Sequence, residues 1–495
     1  MKRRFFSFSM SFVLVMMALV STLANLPPER QLSGEAPVRH KATAPSATAA
    51  ADRPIYKIEA TYDHHKDEVT GHMSVSLPKT RSEPQTEVYF HLYPNAFHKW
   101  KYGKESKPSR PGYIQVSHVK VNGTPVKAKI RDTIMKVRLP EPLPIGKSAK
   151  IEMDYRLRLP YGGTRLNVYK NTAFLAQWYP ILAVKDQEGW HLEPYTTTGD
   201  PFYTQMSDFE VTFRVPQGYR IISTGYDRAK DYRSPVTIKQ ENVRDFVAVL
   251  TRDYKVLKGK AGDTEVNLWY LKGMEGVSQI LRDAAVSGMN FYSEKFGKYP
   301  YKEVDVVLGE TGYGIAGMEY PGLVTSIPRV PTRKGHSPAI NVVVHELAHQ
   351  WWYGVVGNNQ VKEPWLDEGL TTFSEFLYMQ EKMKEDEKDL LNRATVRTNE
   401  IHKAVGVTSA DSLYDYPDSV YGLMVYIRPA AMMFNLMDEI GKDKVIRILH
   451  TYYDKFQYRT ATTRDFIRVA NEVAGKDLTP FFQEWLYFKE KNKKG

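Results

Sequence analysis

At 495 residues, 42% of them apolar and 25% charged, the chain is long enough for two or more domains with sizeable cores, which excludes wholesale disorder. There is no cysteine, so disulfides, thiolate metal sites, a cysteine nucleophile and a lipidated cysteine are excluded, and any metal must be held by His, Asp or Glu. The net charge of +11 comes without a basic helix interleaved with stacking aromatics, so it reads as a solvated basic face and no nucleic-acid partner is expected.

Residues 1–30 open with Lys2, Arg3 and Arg4, and Phe5 to Ala24 then carry no charge. This is the pattern of an export signal. The stretch is also about long enough to cross a bilayer, roughly twenty residues, with the basic flank inside. Thr22-Leu23-Ala24 offers small residues for cleavage, so a cleaved signal peptide and a retained N-terminal membrane anchor through residues 5–24 are both open. Either one predicts an exported protein, extracellular or held on the outer face of the cytoplasmic membrane. Residues 31–52, rich in Ala, Pro, Ser and Thr, read as a flexible linker.

From 53 to 260 the apolar period is two. "PIYKIEATYD", "GHMSVSL", "TEVYFHLYP", "AKIEMDYRLRL" and "FEVTFRVP" read as half-buried strands between turn residues, predicting an all-β, sandwich-like domain. His64 and His65 fall in a strand-turn region and read as surface residues. From 261 to 490 the period becomes helical after one more strand-like run, "EVDVVLGE", predicting an α-rich domain with a small sheet at its start. The fold class expected is therefore α+β multidomain. Residues 491–495 form a basic tail.

The stretch "VVVHELAHQWWYGVVGNNQVKEPWLDEGL" places three ionisable side chains within five residues of an apolar helix. Ser337-Pro338 predicts the helix start. Ile340, Val343, Val344, Leu347, Ala348 and Trp351 make its core stripe, and Gly354 and Gly357 mark its end. His345 and His349, four apart, project from one face and can grip one ion, with Glu346 beside them to reach a water. Catalytic zinc needs a third protein ligand and an open position. Glu368 lies nineteen residues after His349 on a second helix opened by Pro364, giving the predicted Zn²⁺ site His345, His349 and Glu368, one ion per chain. Glu375, two turns beyond Glu368, either hydrogen-bonds a ligating imidazole or is an exposed helix glutamate.

Upstream, "GIAGMEYPG" from Gly314 to Gly322 is a glycine-rich extended segment that a substrate backbone can approach. Ala316-Gly317-Met318-Glu319-Tyr320, His345-Glu346-Leu347-Ala348-His349 and Trp365-Leu366-Asp367-Glu368-Gly369, with "FGKYPYKEVDVV" and "LTPFFQEWLY", together resemble the aminopeptidase N type of gluzincin, the zinc metalloaminopeptidase family that includes leukotriene hydrolase. The resemblance runs from about Arg53 to Tyr487. It implies a β domain followed by a thermolysin-like catalytic domain, in a short form lacking the large C-terminal helical domain.

By that resemblance the expected function is zinc-dependent removal of N-terminal residues from peptides with a free amino terminus, with Glu346 moving the protons. Endopeptidase or other hydrolase activity is the alternative, and a non-catalytic peptide-binding scaffold the third. Tyr426 in "VYIRPAAMMFNL" is the expected oxyanion donor, although Arg428 and Pro429 replace the family's lysine and glycine; Tyr421 is the second choice. Glu319 is expected to hold the substrate α-amino group, Gly317 and Met318 to offer backbone contacts, and Gln177 in "FLAQWYPILAVKD" to add a contact from the β domain. The acidic residue common two positions beyond it is Tyr179 here, a departure that weakens the expected ammonium pocket.

Overall fold

The computed structural model describes residues 53–80, 83–103, 107–162, 164–226, 234–309, 317–328 and 338–489. The expected leader or anchor, the linker 31–52, Gly314 to Ala316, the helix cap at Ser337 and the tail 491–495 lie outside the described residues.

The first half is built on a seven-stranded sheet. An interior strand of it is Ile55–Asp63, whose alternate residues Tyr56, Ile58, Ala60 and Tyr62 turn inward. That strand pairs antiparallel with Glu68–Ser76 and parallel with Ser207–Arg214. Two four-stranded sheets accompany it, one containing Thr172–Leu175 beside Ala248–Thr251, the other Gln85–His91 beside Ile134–Leu143. Phe90, Met135, Met153, Trp178 and Phe213 belong to one apolar core. The period-two reading is met in strands such as Ile55–Asp63 and Ser207–Arg214, which have one face on that core and one toward water, whereas Thr172–Leu175 and Ala248–Thr251 are buried throughout.

The second half begins earlier than the sequence pattern placed it. Strand Lys255–Ala261 pairs antiparallel with Thr264–Tyr270, in the sheet that continues in parallel through Glu303–Leu308 and Leu323–Ser326. The boundary set at 260 therefore moves to just before Lys255. Alternation reports that a strand has an inner face, not which sheet it joins.

Against this small sheet pack helices α1 (Glu275–Phe296) and α2 (Pro338–Ala348); α3 (Pro364–Tyr378) packs on α2, and α4 (Arg428–Ile440) packs on α3. On α2 the whole predicted stripe is buried, and so are Val342, His345 and Glu346 on its other faces. A helix enclosed all round lies in the centre of its domain, not on its rim. Tyr292 of α1 donates its hydroxyl to the Val344 carbonyl at 2.9 Å, fixing α1 against α2. Asp418–Ile440 is a continuous helical run apolar enough to cross a membrane, but 72% of its most apolar window is buried in this core, as expected of a core helix.

Arg244 joins the halves. Its guanidinium is buried and donates to three carbonyls: Tyr353 at 2.8 Å, Thr204 at 3.0 Å and Arg459 at 2.6 Å. Burial lowers its pKa from the usual arginine value. Gly357, expected as a helix end, instead makes room for it, since a Cβ there would stand 2.0 Å from Cζ of Arg244. Arg244→Met leaves three carbonyls buried without donors and is expected to cost roughly 3–5 kcal/mol. Urea unfolding checks this; an unchanged midpoint and slope would contradict the clamp.

Candidate active site

α2 and α3 carry the three predicted ligands to one point. Pro364 opens α3, where a missing N–H costs nothing. Glu368 Oε2 lies 3.3 Å from His345 Nε2 and 3.2 Å from His349 Nε2. All three ligating atoms fall within 4.8 Å of one another, and all three residues are buried. Ligands about 2.0–2.1 Å from a tetrahedral zinc would stand about 3.3 Å apart, so this donor set fits the ion.

The far sides of both rings are occupied, which turns each Nε2 toward the common point. His345 Nδ1 lies 2.9 Å from Glu375 Oε2, and Asn341 Nδ2 donates to the other Glu375 oxygen at 2.9 Å. Of the two readings of Glu375, the buried partner of a ligating imidazole is the observed one. His349 Nδ1 lies 2.8 Å from Asp367 Oδ1, and 3.1 Å from both the Trp352 carbonyl and Thr371 Oγ1. Sequence reasoning missed Asp367, Thr371 and Asn341. The signal available was position: Asp367 and Thr371 flank Glu368 on α3, and Asn341 precedes His345 by one turn of α2.

The charges are mutually dependent. Burial alone would raise Glu368, but His349 and His345 beside it outweigh that and hold it down at about 2. Burial alone would lower His345, and its bonds to Glu368 and Glu375 instead bring it up to about 9. Glu346 goes the other way: burial pushes it up to about 7 against the pull of His345 and His349. Its Oε1 crowds Gly317, where a Cβ would stand only 1.9 Å away. Gly317 is thus required for the close approach of its segment to Glu346.

Tyr426 is also at the centre. Tyr426 lies in a π-helical stretch, Gly422–Ile427, continuous with α4, and its hydroxyl donates to Glu368 Oε1. The wider turn is what lets Pro429 sit inside one continuous run. The Tyr426 ring lies nearly parallel to the His345 ring, 6.0 Å between centroids. Tyr421 packs edge-on against it at 5.9 Å.

Glu319 is buried, with a carboxylate oxygen within 4.8 Å of ligating atoms of His349 and Asp367, and likewise of Asp200 and Glu368. Met318 pairs with the sheet through Thr325 N, which donates to its carbonyl at 2.9 Å. Gln350, next to His349, donates to the Tyr320 carbonyl at 3.0 Å and accepts from Gly322 N at 2.8 Å. The Glu319 segment is thereby tied to the ligand helix. Glu319 also lines a small pocket with Gln177, Met318, Asp200, Arg165 and Gln360. Gln177 Nε2 donates to the buried Asp245 at 2.8 Å, and so does the hydroxyl of Tyr179 at 2.8 Å. The departure at Tyr179 does not empty the pocket of acid, because Asp200 reaches it from another segment. His64 and His65 stand apart, half-buried and exposed respectively.

Fold and site together define a β-rich half followed by a helical half that carries a candidate metal centre. Residues 282–485 match the Peptidase family M1 domain. The chain is 27% identical to "Aminopeptidase N" of Lactococcus lactis over 247 residues, 47% of this chain and 29% of that protein. It is 24% identical to "Aminopeptidase 2, mitochondrial" of Saccharomyces cerevisiae over 366 residues, 65% of this chain and 38% of that protein. The chain thus spans about a third of the length of these curated relatives. Among solved structures, an M1 zinc metallopeptidase from Deinococcus radiodurans superposes with a TM-score of 0.63 at 18% identity, covering 88% of this chain and 94% of that one, which shows the shared fold.

Glu375→Ala frees the far side of His345 and is expected to weaken zinc binding roughly 10–100-fold. Competition against a chromogenic chelator measures it; native affinity in the variant would contradict the orienting role.

Proposed function

We propose that this protein is a zinc-dependent aminopeptidase that hydrolyses N-terminal residues from peptides with a free amino terminus. The observation that carries the reading is the convergence of the three ligating atoms within 4.8 Å, beside a pocket ending in the Glu319 carboxylate. His345, His349 and Glu368 would hold the zinc. When bound, zinc supplies a Lewis acid for the scissile carbonyl and acidifies water at neutral pH.

The remaining work falls to the chain. Glu346, its pKa at about 7, is suited to accept a proton from the attacking water and to return it to the leaving amine. Gly317 leaves the space in which that carboxylate meets the substrate backbone. Tyr426, its O–H beside Glu368, donates to the oxyanion that develops on the former carbonyl. Glu319 pairs with the substrate ammonium and so sets which bond meets the centre, one residue in from the amino terminus. An endopeptidase would need that end of the cleft open, and Glu319 and Asp200 close it with charge.

We also propose that the chain is exported, and either released or anchored at the outer face of the membrane. Lys2 to Arg4 followed by the uncharged stretch Phe5 to Ala24 support this. Protease added to intact expressing cells should remove the cell-associated chain; full protection of a cell-retained chain would contradict it.

On a panel of aminoacyl fluorophores the native chain should release fluorophore, lose activity to a chelator and regain it with zinc. Blocking the substrate amino group should abolish turnover. Glu346→Gln should lower kcat by about 10²–10⁴-fold and Tyr426→Phe by about 10²-fold, with zinc content intact in both. Equal turnover of N-acetylated substrates, or near-native turnover by Glu346→Gln, would overturn the reading.

A further inference from the structure

The pocket that ends at Glu319 holds more acceptor atoms than the sequence motifs account for. Gln177 and Gln360 both line it, and both are almost fully buried, 4% and 3% exposed. In each, the side-chain oxygen Oε1 is buried and accepts no hydrogen bond among the described residues. The orientation of Gln177 is fixed: Asp245 Oδ2 can only accept, so it takes the amide nitrogen at 2.8 Å and leaves Oε1 at the other end. The buried Glu319 carboxylate lines the same pocket. A buried acceptor left without a donor is costly, and such atoms persist where a ligand satisfies them.

Asp200 adds charge to the same place. One of its oxygens accepts from Arg165 Nη1 at 2.7 Å, and a carboxylate oxygen lies within 4.8 Å of those of Glu319 and Glu368. Carboxylates brought this close favour a cation between them. Arg165 holds Asp200 in place, so its carboxylate and that of Glu319 line the same pocket.

A ligand that answers two unpartnered acceptors beside a pair of carboxylates should donate several times, accept nothing and carry positive charge. An ammonium group has this chemistry. We infer that Gln360 is a substrate-binding residue: Glu319, Gln177 Oε1 and Gln360 Oε1 receive the three N–H bonds of the peptide's α-ammonium, while Asp200, held by Arg165, takes over the charge that position 179 does not supply. The inference rests on the aminopeptidase reading and names two residues, Gln360 and Asp200, that no motif of the sequence singles out. Gln360 follows the ligand helix α2 and precedes α3, so the loop that connects the metal ligands also contributes to the amino-terminus subsite.

The test uses the zinc-loaded full chain with Gln360→Met, which keeps length but removes the acceptor, and Gln360→Glu, which restores one. Calorimetry compares leucinamide with its desamino analogue, a readout independent of turnover. Gln360→Met should weaken leucinamide about tenfold or more and leave the desamino analogue unchanged, as expected for one hydrogen bond to a charged group. It should raise KM for a leucyl fluorophore by a similar factor while kcat holds, and Gln360→Glu should recover the native KM. Native leucinamide affinity in Gln360→Met, or equal losses for both ligands, would overturn the inference. Indiscriminate hydrolysis of blocked and free peptides by the native chain would instead overturn the aminopeptidase reading.

Discussion

Two imidazoles and a carboxylate are buried together with their ligating atoms no more than 4.8 Å apart. Each charge placed there costs several kcal/mol in lost solvation unless partners compensate it. Most of the surrounding structure can be understood as that compensation. Glu375 and Asn341 hold one ring, while Asp367, Thr371 and the Trp352 carbonyl hold the other. Tyr426 holds the free oxygen of Glu368. In the absence of a metal the rings keep protons, His345 with a pKa near 9, so metal loading must release them.

The same constraint explains why two domains are needed. Arg244 of the β half donates to the carbonyl of Tyr353, in the loop that follows the ligand helix. Its neighbour Asp245 accepts from Gln177 and Tyr179. Adjacent residues thus fix the metal side and the pocket side of the site to one strand end. Gln350 repeats the arrangement from the catalytic side, with its neighbour His349 at the ion and its own amide on the Glu319 segment.

What the sequence made legible was local. Helical spacing placed His345 and His349 on one face, and Pro364 marked the start of the helix that brings Glu368. Period two marked the strands but could not assign Lys255–Ala261 to its sheet. Gly357 looked like a helix stop and is a clearance for the Arg244 guanidinium. Asp200, Asp245 and Gln360 carry no local signal at all, because their meaning comes from segments up to about 160 residues apart that meet only in the fold. Tyr426 was found by its context, but its place in a π-helical turn was not, since backbone pitch leaves no periodic mark over six residues.

Anomalous diffraction at the zinc edge from crystals of the purified chain tests the central claim most directly. The account predicts one peak per chain, bonded to Nε2 of His345, Nε2 of His349 and a carboxylate oxygen of Glu368. A zinc-loaded chain whose peak falls elsewhere, for instance at Asp186, Glu188 and His191, a group within ligating distance that shares no residue with this site, would contradict it.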